Sequence, residues 1–297
     1  MRIKEFYEFI STLGIDDYPS LNEFKKIGDM TALFYNDRKK NFIDLNYERG
    51  LLLYLLITKL RPMNVLEIGT ASGYATLCMA WAMYDNNIDG KIHTIDPIPN
   101  NEKMMRAMDD NSGNGPHLEN ISVREIWDKI DKKEWIEKII PICGYSGEVL
   151  MKDIFPKFDF IFIDAAHFFD GVKHDFLACL NHVNKNFTIL FDDYVDRESY
   201  GVKKLIDNDI SKKMDVTLIK TDTKNNLEKV INLHDRIYGM CLLDNNSSKI
   251  DLNTLYPKKE RDDYIKNYLK FEKRLRNRNR VNNVFPVLKK IKFSFWK

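Results

Sequence analysis

Three aspartates and a histidine stand where hydrophobic runs end. In FDFIFIDAAHFFDG (158–171), five of the first six residues are apolar; Asp164 follows, and His167 three positions later. In TILFDDY (188–194), Ile189, Leu190 and Phe191 run straight into Asp192 and Asp193. A carboxylate at the end of a buried strand is costly unless it is paired or bound to a metal. Asp164, Asp192 and Asp193 together offer three hard oxygen donors at two neighbouring strand ends. Such a set suits Mg²⁺, which keeps several waters and leaves positions for a substrate oxygen. The alternative is that Asp192 and Asp193 only cap the following turn.

A second group lies upstream. LEIGTASGYAT (66–76) sets Gly69 and Gly73 between a short β-branched strand and a helical pattern. Glycines let the backbone pass close to a ligand, and a helix N-terminus offers free N–H groups to an anion. Asp96 ends the next strand, KIHTID, 23 residues after Gly73 (96 − 73), where its carboxylate can take two ribose hydroxyls. The spacing is Gly-x-x-x-Gly, which fits a pyrophosphate poorly; a dinucleotide site needs Gly-x-Gly-x-x-Gly. A plain strand–turn–helix with Asp96 as a cap is the other reading. Glu67, Gly69 and Gly73 resemble the E-x-G-x-x-x-G motif of class I S-adenosylmethionine (SAM) methyltransferases. The resemblance implies that Gly69, Thr70, Ala71, Ser72, Gly73 and Tyr74 surround the methionine end of SAM. Ser72 would then meet its carboxylate, Glu67 would act near its amino group, and Asp96 would hold the ribose. In that family the loop after the third strand borders the adenine, often as Gly-x-Ser. ICGYSGEVL (142–150) matches at Gly144 and Ser146. Tyr145 stands where relatives are frequently acidic; its ring could stack on adenine or simply pack.

Taken together, the two groups resemble a narrower family. D-x-x-H on one strand and D-D on the next is similar to the Mg-dependent sugar O-methyltransferases of the macrocin kind. A wider set of bacterial methyltransferases reads IDG-x-H and then FDDY, and catechol O-methyltransferase is a more distant relation. The resemblance spans about residues 46–244 and includes TIDPIP and the helical insert near Trp127. It implies that Asp164, Asp192 and Asp193 hold the metal and that His167 is the general base. The residue types suit the chemistry. A sulfonium methyl is already electrophilic, so the acceptor alcohol limits transfer; Mg²⁺ on its oxygen would stabilise the alkoxide. An imidazole with an ordinary pKa of about 6.5 can take the proton near neutrality. A purely structural His167 is the alternative. His174 and Asp175, on the following helix, read as surface or packing residues.

These groups need a scaffold that brings several strand ends together. NYERGLLLYLLITKLRP (46–62) reads as an apolar helix stopped by Pro62. Strands follow at NVLEIGT, KIHTID, KIIPICG, FDFIFID and FTILFDD, with a long helical stretch to about Ile136 before the third. VKKLIDNDISKK reads as a helix, and DVTLIKT and RIYGMCLL as a closing hairpin. Strands alternating with helices predict an α/β fold: a Rossmann-like, doubly wound, seven-stranded sheet with helices on both faces. Ligands of such sheets lie beyond the carboxyl ends of the strands. Three segments are expected: a helical N-terminal extension (1–45, lid or oligomer contact), the methyltransferase-like domain (46–248) and a basic helical C-terminal extension (249–297).

Composition bounds the rest. The 297 residues, 44% hydrophobic and 30% charged, are those of an ordinary globular chain. No apolar run reaches the roughly 18–20 residues of a membrane span. The start, MRIKEFYEFIST, lacks an apolar signal core, and Cys78, Cys143, Cys179 and Cys241 form no CxxC pair, which fits a reducing cytoplasm. Residues 258–297 carry fourteen Lys/Arg and four Asp/Glu (14 − 4 = +10), leaving 2 − 10 = −8 for the remainder. A basic end on an acidic body suggests an anionic partner: an acceptor, an anionic membrane surface at the inner face, or the chain's own body. Appendages of this kind also make lid or dimer contacts, hence an expected homo-oligomer. No aromatic-basic nucleic-acid signature is present. The expectation is thus a SAM-dependent, Mg-assisted O-methyltransferase acting on a sugar, glycoside or glycan hydroxyl. The rivals are methylation of a phenol or catechol, and a non-catalytic SAM- or glycan-binding module.

Overall fold

The computed structural model describes residues 1–37, 39–43, 47–152, 154–196, 200–221, 238–245 and 251–284. The junctions expected at 45/46 and 248/249, the start of RIYGMCLL and the tail from residue 285 lie outside the described residues. The described residues hold twelve strands: β1 (Arg2–Glu5), β2 (Phe34–Asn36), β3 (Asn41–Ile43), β4 (Asn64–Ile68), β5 (Lys91–Asp96), β6 (Met104–Met108), β7 (His117–Ile121), β8 (Ile139–Cys143), β9 (Phe158–Ile163), β10 (Val183–Val195), β11 (Val216–Lys220) and β12 (Tyr238–Asp244). Eight of them form one sheet in the order β1-β11-β12-β10-β9-β4-β5-β8. All neighbours are parallel except β12, which runs antiparallel to both β10 and β11.

The central strands read as unbroken apolar runs because helices cover both faces. Alternation then sorts their side chains. Phe160, Phe162 and Leu190 join one core, with the helices α1 (Phe6–Ser11), α2 (Leu21–Thr31), α3 (Glu48–Leu60), α4 (Tyr74–Asp85), α5 (Val123–Ile130) and α6 (Lys133–Ile136). Ile161, Ile163, Ile189 and Phe191 join the other, under α7 (Ser146–Leu150), α8 (Phe169–Cys179), α9 (Gly201–Asn208) and the start of the C-terminal helix. Asp159, the one polar residue at the head of β9, accepts the Met63 and Asn64 amides, both at 3.0 Å. It therefore pins β9 to the chain entering β4, at the end of the sheet opposite the site.

The structure departs from the sequence reading in two places. The N-terminal segment, expected as short helices, also supplies β1, which pairs in parallel with β11 and makes an eighth strand. Its Phe6, Phe9, Phe24 and Ile27 enter the first core, so the segment is built into the domain. The stretch expected as helical up to Ile136 opens instead with the β6–β7 hairpin. The turn-rich DNSGNGP between these strands makes a long helix impossible there. The helix starts only at Ser122, which forms a capping box with Glu125.

At the C-terminal side, α10 (Leu252–Leu255) precedes α11 (Lys258–Val284). The first turns of α11 dock on α8: Ile265 and Tyr268 are buried, the Tyr264 hydroxyl donates to Asp170 (3.1 Å), and Arg261 Nε donates to Asn181 (3.0 Å). No described helix is long and apolar enough to cross a membrane.

Candidate active site

Backbone hydrogen bonds hold four strand ends side by side. The Gly69 amide donates to the Ile95 carbonyl, Asp164 to Ile68, and Gly144 to Asp96, all at 2.9 Å. The glycine loop and the loop carrying Asp164 are in direct contact: a Cβ on Gly69 would lie 2.1 Å from the Asp164 carbonyl oxygen. Gly69 (φ +97°) and Gly73 (φ +91°) both adopt the left-handed conformation that favours glycine. Ala71 shares that region at φ +50°. A Cβ on Gly73 would meet the Trp127 indole nitrogen at 2.3 Å, so α5 packs directly against the loop.

Beside this loop is a cleft of about 220 Å³, lined by Thr70, Ala71, Asp96, Asn100, Val123, Ile142 and Cys143 among others. Asp96 accepts the amides of Ala71 (3.1 Å) and Ile98 (2.8 Å), one on each oxygen. Each oxygen keeps a further acceptor position for a ribose hydroxyl. The Ser72 hydroxyl accepts a hydrogen bond from Arg106 Nη1 at 2.7 Å, while the buried Arg106 Nε has no hydrogen-bond partner among the described residues. Glu67 is fully buried, with Oε2 accepting from Thr76 and Oε1 left without a hydrogen-bond partner among the described residues. Burial pushes its carboxyl up to about 8, opposed in part by the Thr76 hydrogen bond. Ser72 with Arg106 suits a ligand carboxylate, Glu67 an ammonium, and Asp96 a ribose. The residues present therefore fit SAM.

Other expected cofactor residues are turned elsewhere. The Tyr74 hydroxyl donates to the Tyr47 carbonyl at 3.0 Å, inside the contact with α3. The Ser146 hydroxyl donates to Asp175 at 2.5 Å, and His174 stacks on Tyr268 at 4.3 Å. His174 and Asp175 are thus buried packing residues between α7, α8 and α11. Gly144 lies at the mouth of α7 with its amide on Asp96, and Tyr145, half-buried, is the residue before that helix.

The acid–histidine group lies on the next two strand ends. A register shift between Phe191 and Tyr194 in the β10–β12 pairing, with Asp193 at φ +56°, breaks the alternation of β10. This bulge lets both Asp192 and Asp193 serve one side of the strand end. His167 Nδ1 lies 2.8 Å from Asp193 Oδ2, and its ring stacks on Tyr200. Asp193 holds His167 above the usual imidazole range, chiefly through this hydrogen bond. Asp164 and Asp192 face Arg49: Nη1 is 3.3 Å from Asp164 Oδ2 and Nη2 is 2.5 Å from Asp192 Oδ2. Burial raises both carboxyls, that of Asp192 most strongly, while Arg49 opposes the rise. Neither Asp192 oxygen has a hydrogen-bond partner of ordinary geometry among the described residues, so the ion pair is its compensation.

This arrangement does not assemble the metal set expected of Asp164, Asp192 and Asp193. No group of three His, Cys, Asp or Glu among the described residues is placed to hold an ion. The reason is local: a guanidinium lies between the first two carboxylates and the third is engaged by His167. The sequence reading missed Arg49 and Arg106, and neither lies in a motif. Asn100 and Val123 line the cleft from the TIDPIP loop and the head of α5.

Residues 66–194 match the family model described as a methyltransferase domain. The matched span covers the strands and loops that build the cleft and the acid–histidine group. Among solved structures it is similar to a provisionally assigned O-methyltransferase from Klebsiella pneumoniae, at 18% identity and a TM-score of 0.50, covering 80% of this chain and 93% of that one. Two further structures share the likeness. The O-methyltransferase TomG from Streptomyces achromogenes, involved in tomaymycin synthesis and in complex with SAM, is 17% identical at a TM-score of 0.49, covering 80% and 93%. An O-methyltransferase from Bacillus cereus, in complex with SAH, is 16% identical at a TM-score of 0.48, covering 80% and 94%. At 18% identity the likeness to the Klebsiella pneumoniae structure is one of fold, and it agrees with the Rossmann-like sheet. No curated protein matches the chain.

Proposed function

We propose that this chain is a SAM-dependent O-methyltransferase whose acceptor is a hydroxyl of a sugar, glycoside or glycan. One observation carries the reading: the ligand cradle and a histidine–aspartate pair share the same strand ends, with Gly69 against the Asp164 carbonyl. When bound, SAM supplies a methyl group already activated on a sulfonium sulfur. The chain's residues do the rest. Gly69 and Gly73 leave room for close approach, Asp96 takes the ribose, and Ser72 with Arg106 takes the carboxylate. Asp193 accepts from His167 Nδ1–H, so the neutral ring offers the Nε2 lone pair to an acceptor hydroxyl. The carbohydrate class rests on the likeness of D-x-x-H and D-D to the macrocin-type enzymes. The N-terminal segment and the basic α11 are proposed to shape the acceptor side or a subunit contact, with α11 favouring an anionic acceptor.

The test is release of S-adenosylhomocysteine from SAM by the purified chain, screened against sugar glycosides and phenols. Release with sugar hydroxyls, and methyl label on oxygen, is the expected result. Label on nitrogen or carbon, or failure to bind SAM, would overturn the reading. Transfer confined to phenols would overturn its carbohydrate part.

A further inference from the structure

We propose that Arg49 takes the place of a divalent cation at these strand ends. Only the catalytic consequence rests on the O-methyltransferase reading; the geometry stands without it. Arg49 is the second residue of α3, a helix whose residues 51–57 are all buried in the first core, so its backbone is fixed. From there the side chain reaches across to β9 and β10. Its two terminal nitrogens lie 3.3 Å from Asp164 Oδ2 and 2.5 Å from Asp192 Oδ2. Those carboxylates would be the first two ligands of any ion bound here. The third candidate, Asp193, is turned to His167 at 2.8 Å.

The chemistry of the pair argues for permanence. A guanidinium stays charged at every accessible pH and its planar fork matches carboxylate oxygens. Asp192 is 1% exposed and Arg49 19%, so water screens the pair poorly. Removing one partner of a buried pair leaves an uncompensated charge. A Mg²⁺ ion needs oxygens at about 2.0–2.1 Å in octahedral geometry. It could gather them here only by expelling Arg49 against like-charge repulsion. Positive charge at these strand ends is therefore built into the chain and needs no loading. Arg49 is a positioning residue: it holds Asp164 and Asp192 in place, next to the His167–Asp193 pair that moves the proton. Methyl transfer by this chain is then independent of divalent ions.

The experiment uses Mn²⁺ alone as the probe, followed by electron paramagnetic resonance or calorimetry on the full chain. The wild type should bind Mn²⁺ no more tightly than about 1 mM, and its unfolding midpoint should be the same in EDTA and in Mg²⁺. Arg49→Met removes the charge and leaves the carboxylates exposed to a new partner. It should gain at least about tenfold in Mn²⁺ affinity and be stabilised by Mg²⁺. Arg49→Lys keeps the charge and should not gain. Stoichiometric micromolar Mn²⁺ binding by the wild type overturns the inference, and so does a folded Arg49→Met that gains no affinity. The wild-type titration decides the matter even where Arg49→Met does not fold. S-adenosylhomocysteine calorimetry on the same samples separates the two readings. Absent binding sinks the methyltransferase function, whereas the Mn²⁺ result alone judges Arg49.

Discussion

Replacing Glu67 by glutamine should flatten the dependence of stability on pH. Glu67 is fully buried behind the glycine loop, and its folded carboxyl is pushed from 4.5 up to about 8. The unfolded chain releases this proton near 4.5, the folded protein only near 8. Between those values the folded state holds more protons, so stability falls as pH rises. The contribution is whole below about 4.5 and is lost above about 8. One proton over one pH step is worth about 1.4 kcal/mol, and integrating between about pH 5.5 and about pH 8.5 gives a loss of about 3 kcal/mol. Glu67→Gln keeps the hydrogen bond with Thr76 in shape but cannot ionise, so this loss disappears from its profile. Urea unfolding of ligand-free protein at the two pH values, wild type beside variant, measures the difference directly. Equal slopes in the two proteins would refute the burial argument. Saturating S-adenosylhomocysteine should shrink the wild-type loss, because an ammonium beside Glu67 favours its charged form.

Other expectations concern the same strand ends. Asp193→Asn removes the main cause of the raised His167 value, so the rise of kcat/KM with pH should move to lower pH and its plateau should drop; an unchanged profile would remove His167 as the base. Asp96→Ala should weaken S-adenosylhomocysteine by about 1.5–3 kcal/mol, seen by calorimetry on protein whose circular dichroism is unchanged. Gly73→Ala should cost about 2 kcal/mol or more, since its Cβ would meet Trp127 in a conformation that L residues avoid; Trp fluorescence during unfolding reports both. Wild-type turnover, if Arg49 is the resident cation, should survive exhaustive EDTA treatment.

The legibility of this chain follows burial. Strands β4, β5, β9 and β10 are readable because both faces are covered, so their text is apolar and their polar ends stand out. That Asp164, His167, Asp192 and Asp193 stand at those ends is readable for the same reason, but not their pairing with Arg49 and with one another. Edge strand β1 (RIKE) is mostly exposed and carries no such pattern. The β6–β7 hairpin hides because MMRAM suits a helix as well as a strand, and only the turn residues betray it. Arg49 could not be read at all: it reaches Asp164 from 115 residues away, on a helix whose text announces only its apolar face. Tyr74 and Ser146 illustrate the converse, since a motif fixes where a backbone goes but not which way each side chain turns.

The edge strand carries a further consequence for how the chain is made. Residues Arg2–Glu5 pair with Thr217–Lys220, and Glu5 also accepts a bond from Lys220 Nζ, a partner 215 residues further along. During synthesis β1 is made long before its partner strand. It must wait until β11 has emerged. In the interval the apolar Phe6, Phe9 and Ile10 behind it lack the β11 contact that α1 makes in the finished fold. The pairing then closes the open edge of β11, which would otherwise invite another chain. The pairing of β1 with β11 is therefore a long-range closure that depends on everything between them having been made.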